Sequence, residues 1–345
     1  MKPRQFATGL GLFLLLALLG TTGIVHAQQA RNGTNAASQL LIPLGAQFLG
    51  GSGAAAAITG IESVLWNPAG LDYGEGDVMV MVSRRNYIAD IGINFASVGL
   101  RFGSLGAIAL HLRSLDIGEI QKTDEFNMDG TGETFSPTFF TLGVSYGRAM
   151  TDRIRVGATV NLNYESFANV SASGVTFDAG VQYDNFLGFG GLSVGVAIRN
   201  IGTSMRYDGS PLIVDARTPE GDRATTKYKV VAASADVPTV VDLGVSYRLF
   251  EGLSVSLTYK ENTYGPSQVQ GQLAYNFQNY FTVRGAFAQN VESQGDLEGP
   301  FDNRPALGAT LNLRPVLGLN MAVDYGFVPA RFFENNHIFT LRGQF

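Results

Sequence analysis

Histidine residues are the first candidates for chemistry in this sequence, because imidazole titrates near neutral pH and serves as the base in many nucleophilic sites. The 345-residue chain has three of them, His26, His111 and His337. His111 falls on the polar face of an alternating segment beside Arg113, whereas His337 falls on the opposite parity near the end of the chain. A Ser-His-Asp hydrolase would have to combine His111 with a carboxylate such as Asp116. A histidine in a polar network is the favoured interpretation, and we predict that the protein is not an enzyme.

Two other segments resemble ligand sites by composition. Gly51, Gly53 and Ala56 have the spacing of a dinucleotide-binding turn, but no predicted strand precedes them, as that turn requires. The acidic segment 124–133 departs from the spacing of an EF-hand calcium loop. The absence of cysteine excludes thiolate metal sites and cysteine nucleophiles. The sequence thus assigns no catalytic, cofactor or metal residue, and an irregular calcium site in the acidic loop stays open as the alternative to a solvated loop.

The overall composition is apolar. Hydrophobic residues make up 45% of the chain and charged residues 15%, against about 25% charged residues in average proteins. Such a chain is too apolar to be disordered. The formal net charge of -5 leaves few cations to neutralise phosphates, which argues against nucleic acid as a partner.

The first residues have the pattern of an export signal. Lys2 and Arg4 precede an apolar run at 10–19, and small residues follow up to Ala27. The run is shorter than the roughly 20 residues that a transmembrane helix needs. This order of a basic, an apolar and a small-residue region predicts a signal peptide at 1–27, cleaved after Ala27. We therefore expect an exported chain.

Apolar and polar residues alternate through most of the chain after residue 76, and this period of two is typical of β-strands. Each alternating run is close to the roughly 9–11 residues of a tilted strand that crosses a bilayer, and an even strand number suits a bacterial outer-membrane barrel. The fourteen predicted strands are 77–84, 91–100, 105–114, 137–149, 153–165, 173–184, 190–201, 239–250, 253–262, 267–278, 280–290, 303–314, 317–327 and 336–345.

The connections between these strands favour a membrane barrel over a soluble β-sandwich. Tight turns at 150–152, 251–252 and 278–279 are separated by longer segments such as 115–136 and 202–237. Outer-membrane barrels have short turns at one end and long loops at the other. We therefore predict an all-β membrane protein, an antiparallel outer-membrane β-barrel of about fourteen strands over residues 76–345.

The two faces of the predicted strands differ in chemistry. Aromatic residues such as Tyr146 and Tyr247 lie near strand ends on the apolar face, as in interfacial girdles. Charged residues share the opposite face, and a charge facing lipid is costly, so we place them in the lumen. The predicted lumen-facing polar residues are Asp178, Arg199, Asp242, Arg248, Arg284, Arg314, Asp324 and Arg342.

The segment before the first strand has a different character. It does not alternate, it is rich in glycine and alanine, and it ends in Trp66, Asn67, Pro68, Ala69 and Gly70. Small residues allow helices to pack closely, and a barrel of this size has a lumen that needs filling. We therefore predict that residues 28–75 form a short helical hatch, or plug, inside the barrel. The amide of Asn67 should bond to the hatch or to the inner wall.

These segments together resemble the PorV/PorQ family, within the broader group of barrels similar to the FadL fatty-acid transporter. The Asn-Pro-Ala triplet at 67–69 matches the hatch motif of FadL-like barrels. The other residues that carry the resemblance lie, in order, at 45–53, 66–71, 199–207, 237–239, 243–247, 271–275, 283–285, 324–327 and 337. The resemblance implies a fourteen-stranded barrel with an N-terminal hatch in the bacterial outer membrane.

The resemblance also implies two functions. Some members of the family act in type IX secretion, so the first hypothesis is a component of protein secretion and cell-surface attachment, with secretion-system proteins or exported cargo as partners. The alternative is passive, FadL-like transport, with small hydrophobic molecules as ligands. Both functions are non-enzymatic and place the barrel in contact with outer-membrane lipid and lipopolysaccharide.

Overall fold

A computed structural model describes residues 33–74, 76–216, 226–291 and 305–345. The predicted signal peptide at 1–27 lies outside the described residues. Within the described ranges, no helix is long and apolar enough to cross a membrane.

Fourteen strands form one closed antiparallel barrel, as predicted. Each strand pairs with its neighbours in the chain, and β1 pairs with β14 from Met79 opposite Gln344 to Asn86 opposite His337, which closes the sheet. The strands are β1 Val78–Asn86, β2 Gly92–Arg101, β3 Ala107–Asp116, β4 Thr138–Ala149, β5 Ile154–Phe167, β6 Val170–Asp184, β7 Leu192–Gly202, β8 Val240–Phe250, β9 Leu253–Asn262, β10 Gln268–Phe277, β11 Phe281–Asn290, β12 Pro305–Asn312, β13 Met321–Val328 and β14 Asn336–Gln344.

The connections divide the barrel into two ends. The end that holds Val78 and Phe345, named here the turn end, has short connections such as 150–153 and 251–252. The opposite end, named the loop end, has the segments 117–137 and 203–239, which carry small hairpins of their own. The alternation of short and long connections is less strict than predicted, since the loop end also has the tight turn at 168–169.

Two residues predicted to face the lumen lie at the turn-end rim of the barrel, where both are exposed and where Arg314 lines the mouth of a cavity. Arg314 is exposed in a short helix, α2, at Arg314–Leu317, because Pro315 starts a helical turn and Gly318 ends it with a φ of 71°. Strand β13 therefore begins at Met321 rather than at 317. Arg248 keeps the inward parity, but it is exposed because β8 reaches the rim of the barrel there and its pairing with β9 becomes irregular after this residue.

The outer face of the barrel is an apolar band. Val82, Val144 and Val160 are 60%, 50% and 48% exposed, and outward positions on the other strands carry similar side chains. A continuous apolar surface of this size is typical of a face in contact with lipid. Leu192 has the same parity but is covered by the turn after β6, where it packs with Phe186 and Tyr247.

The interior holds the N-terminal segment, named here the hatch (residues 33–74). Its elements are the helix α1 at Ala54–Ala57, numbered first among the helices, and the 3-10 turns Ser38–Leu41, Leu49–Gly51, Ile61–Leu65 and Pro68–Gly70. The hatch is thus made mostly of single turns rather than of a longer helix. Gly50, Gly53 and Gly60 take positive φ angles of 70°, 83° and 73°, a conformation that interrupts helices and that glycine adopts without strain.

A candidate binding site in the barrel lumen

The hatch extends through the lumen from the loop end to the turn end. Near the loop end, the Ala37 backbone N–H donates to Glu165 Oε1 at 2.8 Å, and Leu40 packs in one apolar cluster with Met205. At the turn end, Gly60 and Gly74 lie against the side chain of Gln344 in β14. The barrel interior is therefore occupied by its own N-terminal segment.

The turn at Trp66–Gly70 joins the hatch to the wall through Asn67. This side chain is 0% exposed, and its Oδ1 accepts from the Ala69 N–H at 3.1 Å, which caps the turn that Pro68 begins. Its Nδ2 donates to the Ala55 carbonyl at 2.7 Å and lies 3.3 Å from the Val181 carbonyl of β6. Asn67 thus binds a turn, a helix and the barrel wall together.

Glycines on the inner wall allow this close contact. A Cβ atom at Gly180 would lie 2.0 Å from Asn67 Oδ1, and one at Gly195 would lie 2.0 Å from the Ala55 carbonyl oxygen. At Gly157 it would lie 2.3 Å from the backbone of Pro68. Because real Cβ atoms do not approach other atoms so closely, the hatch backbone packs directly on bare strand backbone over β4–β7.

Between the hatch and the loop end lies a cavity of about 320 Å³, named here the upper cavity. Its surface is largely apolar, and Trp66 forms part of it. The ring of Trp66 is held in place by Gly51, where a Cβ atom would lie 2.6 Å from Cζ3. The apolar residues that line the upper cavity include Leu40, Leu41, Ile42, Leu44, Leu49, Leu65 and Trp66 from the hatch, with Val240, Ala286, Ala288, Ala306 and Val328 from the wall.

Four cations line the same cavity, and one of them, Arg199, is paired with the carboxylate of Asp242. Arg113 Nη1 donates to the Gln39 carbonyl at 3.0 Å, and Arg85 Nη1 donates to the Pro43 carbonyl at 2.7 Å. Arg199 and Lys260 lie 5.2 Å and 5.6 Å from the centre of the Trp66 ring. The cavity therefore combines an apolar surface with a positive field.

Arg85, Arg113 and Lys260 are cavity residues that were not predicted from the sequence. Each has the inward parity of its strand, as Ser83 and His111 do on β1 and β3. A cation at an inward position is the signal that could have found them. Their meeting in one cavity depends on the closure of the barrel, which the spacing of residues along the chain does not reveal.

Six of the eight predicted lumen-facing polar residues form polar networks inside the barrel, whereas Arg248 and Arg314 lie at its turn-end rim. Arg199 Nη2 donates to Asp242 Oδ2 at 2.6 Å, and Arg342 Nε donates to Asp324 Oδ2 at 2.6 Å. Arg284 Nη1 donates to Thr310 Oγ1 at 2.6 Å. These pairs satisfy charged groups that the lumen wall buries.

Asp178 belongs to a third network, which contains His111. His111 Nε2 lies 3.1 Å from Asn161 Oδ1, and Asn161 Nδ2 donates to Asp178 Oδ2 at 2.9 Å. The other carboxylate oxygen accepts from the Asn200 N–H at 2.6 Å, where the pairing of β6 and β7 is irregular. His111 is therefore part of a polar wall network, and Asp116 is exposed at the end of its strand. No group of three histidine or acidic residues that could hold a metal ion is found in the described part of the chain.

A charged cluster between the hatch and the wall was not anticipated. Glu62 of the hatch is 0% exposed, and its Oε1 accepts from the Gln47 N–H at 3.2 Å. Around it lie the carboxylate of Asp324 and the guanidinium groups of Arg284 and Arg342. We name these four charged residues the Glu62 cluster. A lone acidic residue within an apolar, small-residue segment was the sequence signal for it.

The environment of Glu62 changes its titration. Burial in the hatch and the nearby Asp324 carboxylate raise the pKa of Glu62 from 4.5 to about 7, although Arg342 and Arg284 oppose this shift. Burial is the largest of these causes. The docked hatch therefore favours the protonated carboxyl group.

We predict that closure of the hatch weakens as the pH rises. Docking raises the pKa of Glu62 to about 7, so the docked hatch retains a proton that a released, solvated hatch loses above pH 4.5. Docking is then strongest below pH 4.5, weakens as the pH rises through about 7 and stays constant above that value. Between pH 5 and pH 7, the ratio of open to closed hatch should rise roughly thirtyfold.

Recordings of ion conductance in planar bilayers at these two pH values measure that ratio. Glu62→Gln keeps the shape of the side chain and removes its titration, so this variant should show little change with pH. A wild-type response as flat as that of Glu62→Gln would contradict the prediction.

The closed, fourteen-stranded antiparallel barrel of this chain matches the fold of FadL-like outer-membrane β-barrels. Among solved structures, it is similar to the toluene transporter TodX of Pseudomonas putida, with a TM-score of 0.55 and 11% identity over 88% of this chain and 99% of TodX. The monoaromatic hydrocarbon channel CymD gives a TM-score of 0.54 and 12% identity over 87% of this chain and 96% of CymD.

A FadL homologue of Pseudomonas aeruginosa is similar to the same degree, with a TM-score of 0.51 and 12% identity over 87% of this chain and 98% of that protein. No family model matches the chain. No curated protein sequence matches it either. The comparisons thus support the FadL-like part of the sequence resemblance, whereas they give no support to the PorV/PorQ part or to type IX secretion.

Proposed function

We propose that this protein is a passive outer-membrane transporter of small hydrophobic molecules. The observation that carries the proposal is the upper cavity, a largely apolar space of about 320 Å³ inside the barrel, with the hatch between it and the turn end. Ligand sites in proteins are typically concave, mostly apolar and equipped with a few polar groups. The similarity in fold to TodX and CymD, a toluene transporter and a monoaromatic hydrocarbon channel, supports the same function.

The location in the outer membrane is part of the proposal. The apolar band on the barrel surface and the fold shared with outer-membrane channels support it. Outer-membrane barrels have their short turns on the periplasmic side, so the turn end would face the periplasm and the upper cavity would open toward the cell exterior. We also propose that residues 28–75 act as the hatch and 76–345 as the barrel.

The cations of the upper cavity narrow the ligand class. Arg113 and Lys260 donate to backbone carbonyls of the hatch, which are neutral acceptors. A ligand carboxylate would offer these groups a charged acceptor, and charge-assisted hydrogen bonds are about twice as strong as neutral ones. We therefore infer that the preferred ligands are small hydrophobic molecules that carry one acidic group.

The only tryptophan of the chain provides the test. Trp66 lines the upper cavity, so its fluorescence reports on a ligand there. In detergent-solubilised protein, 4-phenylbutyrate should change this fluorescence in a saturable manner, and the uncharged 4-phenylbutanamide should bind about tenfold more weakly. Arg113→Gln should remove most of the difference between the two probes, whereas Arg148→Gln, at an exposed position at the end of β4, should preserve it.

The outcomes distinguish between the existence of a ligand site in the upper cavity and its preference for an acidic group. A fluorescence that neither probe changes would contradict a ligand site in the upper cavity. Equal affinities for the acid and the amide would contradict only the preference for an acidic group.

A further inference from the structure

A second cavity of about 350 Å³, named here the lower cavity, lies at the turn end. Unlike the upper cavity, it has a polar wall, which includes Asn312, Arg342 and Gln344. The hatch contributes Gly60 and Glu62 to it. In the described part of the chain, the lumen therefore has a cavity toward each end of the barrel.

The two cavities are close to each other along β12. The inward residues of this strand are, in order from the loop end, Ala306, Gly308, Thr310 and Asn312. Ala306 lines the upper cavity and Asn312 lines the lower one. Only the inward positions Gly308 and Thr310 lie between them, and the six residue steps from Ala306 to Asn312 span about 20 Å of strand at roughly 3.3 Å per residue.

The same order is found on the neighbouring strand β13. Val328 lines the upper cavity and Ala322 lines the lower one. Gly326 and Asp324 are the inward residues between them. The barrier is thus two side-chain layers thick on two adjacent strands.

The first layer of the barrier is apolar and comes from the hatch. Leu49 Cδ1 lies 3.2 Å from the position of a Cβ atom at Gly308, and Leu49 Cδ2 lies 2.9 Å from that position at Gly326. Ala46 Cβ lies 3.4 Å from the same point at Gly326. Because the wall has no side chains here, a displacement of Leu49 would leave open space against the strands.

The second layer is the Glu62 cluster with Thr310. Thr310 Oγ1 donates to Asp324 Oδ1, and Arg342 holds the same carboxylate through Nε at 2.6 Å and Nη2 at 3.1 Å. The Gln47 amide, oriented with its oxygen toward Arg342, accepts from Nη1 at 2.9 Å. These contacts are made by side chains, which can exchange partners without a change in the barrel.

The hatch is held differently on the opposite wall. There its backbone packs on Gly157, Gly180 and Gly195, and Asn67 bonds to wall carbonyls. A movement on that side would break backbone packing over several strands. Leu49, by contrast, is held to β10 by one side chain, since its N–H donates to Gln272 Oε1 at 3.2 Å.

We propose that the permeation pathway runs between the hatch and the wall formed by β11–β14, and that residues 45–50 together with Glu62 are its gate. The gate opens when Leu49 and Glu62 leave β12 and β13, while α1 and Asn67 stay docked on the opposite wall. Arg284 and Arg342 then offer a charged partner to the acidic group of a ligand that leaves the upper cavity. This pathway rests on the proposed function, since it describes how the ligand leaves that cavity.

A reversible disulfide tests the pathway, and the chain has no native cysteine to interfere. Ala46→Cys with Gly326→Cys joins the gate to β13, where the two Cβ positions are 3.4 Å apart. Ala56→Cys with Gly244→Cys joins α1 to β8 at 3.3 Å and is the control. Because a Cβ atom at Gly244 also lies 2.9 Å from the Ala56 nitrogen, each pair is compared with its own reduced state. Both separations are close to the 3.5–4.5 Å range of disulfides.

The flux of 4-phenylbutyrate into proteoliposomes is measured for both cysteine pairs, in the oxidised and in the reduced state. Oxidation of the gate pair should lower the flux about tenfold, and reduction should restore it, whereas the control pair should keep its flux in both states. Unchanged flux in the oxidised gate pair would overturn the pathway. Equal inhibition by both disulfides would also overturn it, because the hatch would then move as one body. If wild-type Trp66 fluorescence shows no binding of the probe, the proposed function fails instead.

A measurement without a disulfide covers the case in which the bridge does not form. Thr310→Cys lies in the barrier, and Thr258→Cys lies on β9, where the native hydroxyl accepts from the Gly53 N–H. A small charged thiol reagent should modify the cysteine at position 310 during transport, at a rate that 4-phenylbutyrate lowers, and should modify the one at 258 much more slowly. Equal rates at the two positions would overturn the pathway.

Discussion

Deletion of residues 38–72 should convert a nearly closed barrel into an open pore. Ionic conductance in a planar bilayer should rise about tenfold or more, because a lumen of fourteen strands is wide enough for water once the hatch is absent. The wall should remain folded, since every barrel strand pairs with two neighbouring strands and none pairs with the hatch.

The inner wall of the barrel also carries ion pairs that do not depend on the hatch. Arg199 is paired with Asp242 and Arg342 with Asp324, so removal of the hatch leaves these two ion pairs of the wall intact. Heat-modifiable migration on a gel serves as the control for an assembled barrel. If the intact protein conducts as freely as the deletion variant, residues 38–72 do not close the lumen.

The second large effect is expected on the outer face. Val160 lies at the centre of β5 and is 48% exposed on the apolar band. Val160→Arg should lower the free energy of unfolding by roughly 2–4 kcal/mol, the cost of a cation at the bilayer midplane. Val78→Arg, at the first residue of β1, should cost only about 0–1 kcal/mol, because the charge reaches the interface there.

Urea unfolding in lipid vesicles measures both variants. The comparison controls for the chemistry of arginine and leaves depth as the difference. Equal losses at positions 160 and 78 would contradict a membrane centred on the barrel, and so would an unchanged stability of Val160→Arg.

The barrel strands were predictable because their two faces contact different surroundings. Because successive side chains face lipid and a polar interior in turn, every strand has a hydrophobic period of two. For β9 this pattern predicted 253–262, which are the observed bounds. The prediction was wrong at the start of β13, where Leu317 and Leu319 continue the alternation although Pro315 and Gly318 form a helical turn. The apolar alternation at these positions led to the prediction of a strand, although the proline and the glycine indicated a turn.

The site was less predictable than the wall. The tendency of Asn67 to bond within the hatch or to the wall follows from Pro68 and from the unpaired backbone of a turn, and the structure shows both kinds of bond. The upper cavity and the Glu62 cluster depend on which strands face which part of the hatch. That information arises only when β1 and β14 close the barrel.

The glycines of β4–β7 have a consequence for how this sequence can vary. Gly157, Gly180 and Gly195 have no positive φ that would itself require glycine. A side chain is excluded chiefly by the hatch, through its backbone at Gly157 and Gly195 and through the Asn67 side chain at Gly180. Whether these positions tolerate alanine therefore depends on the presence of the hatch, which is an epistatic relation between the two parts of the chain. In the presence of the hatch, each new methyl group displaces it, whereas in a barrel that has lost the hatch the same substitutions would be nearly neutral. The wall and the hatch are thus expected to diverge together, and loss of one would release the selection on the other.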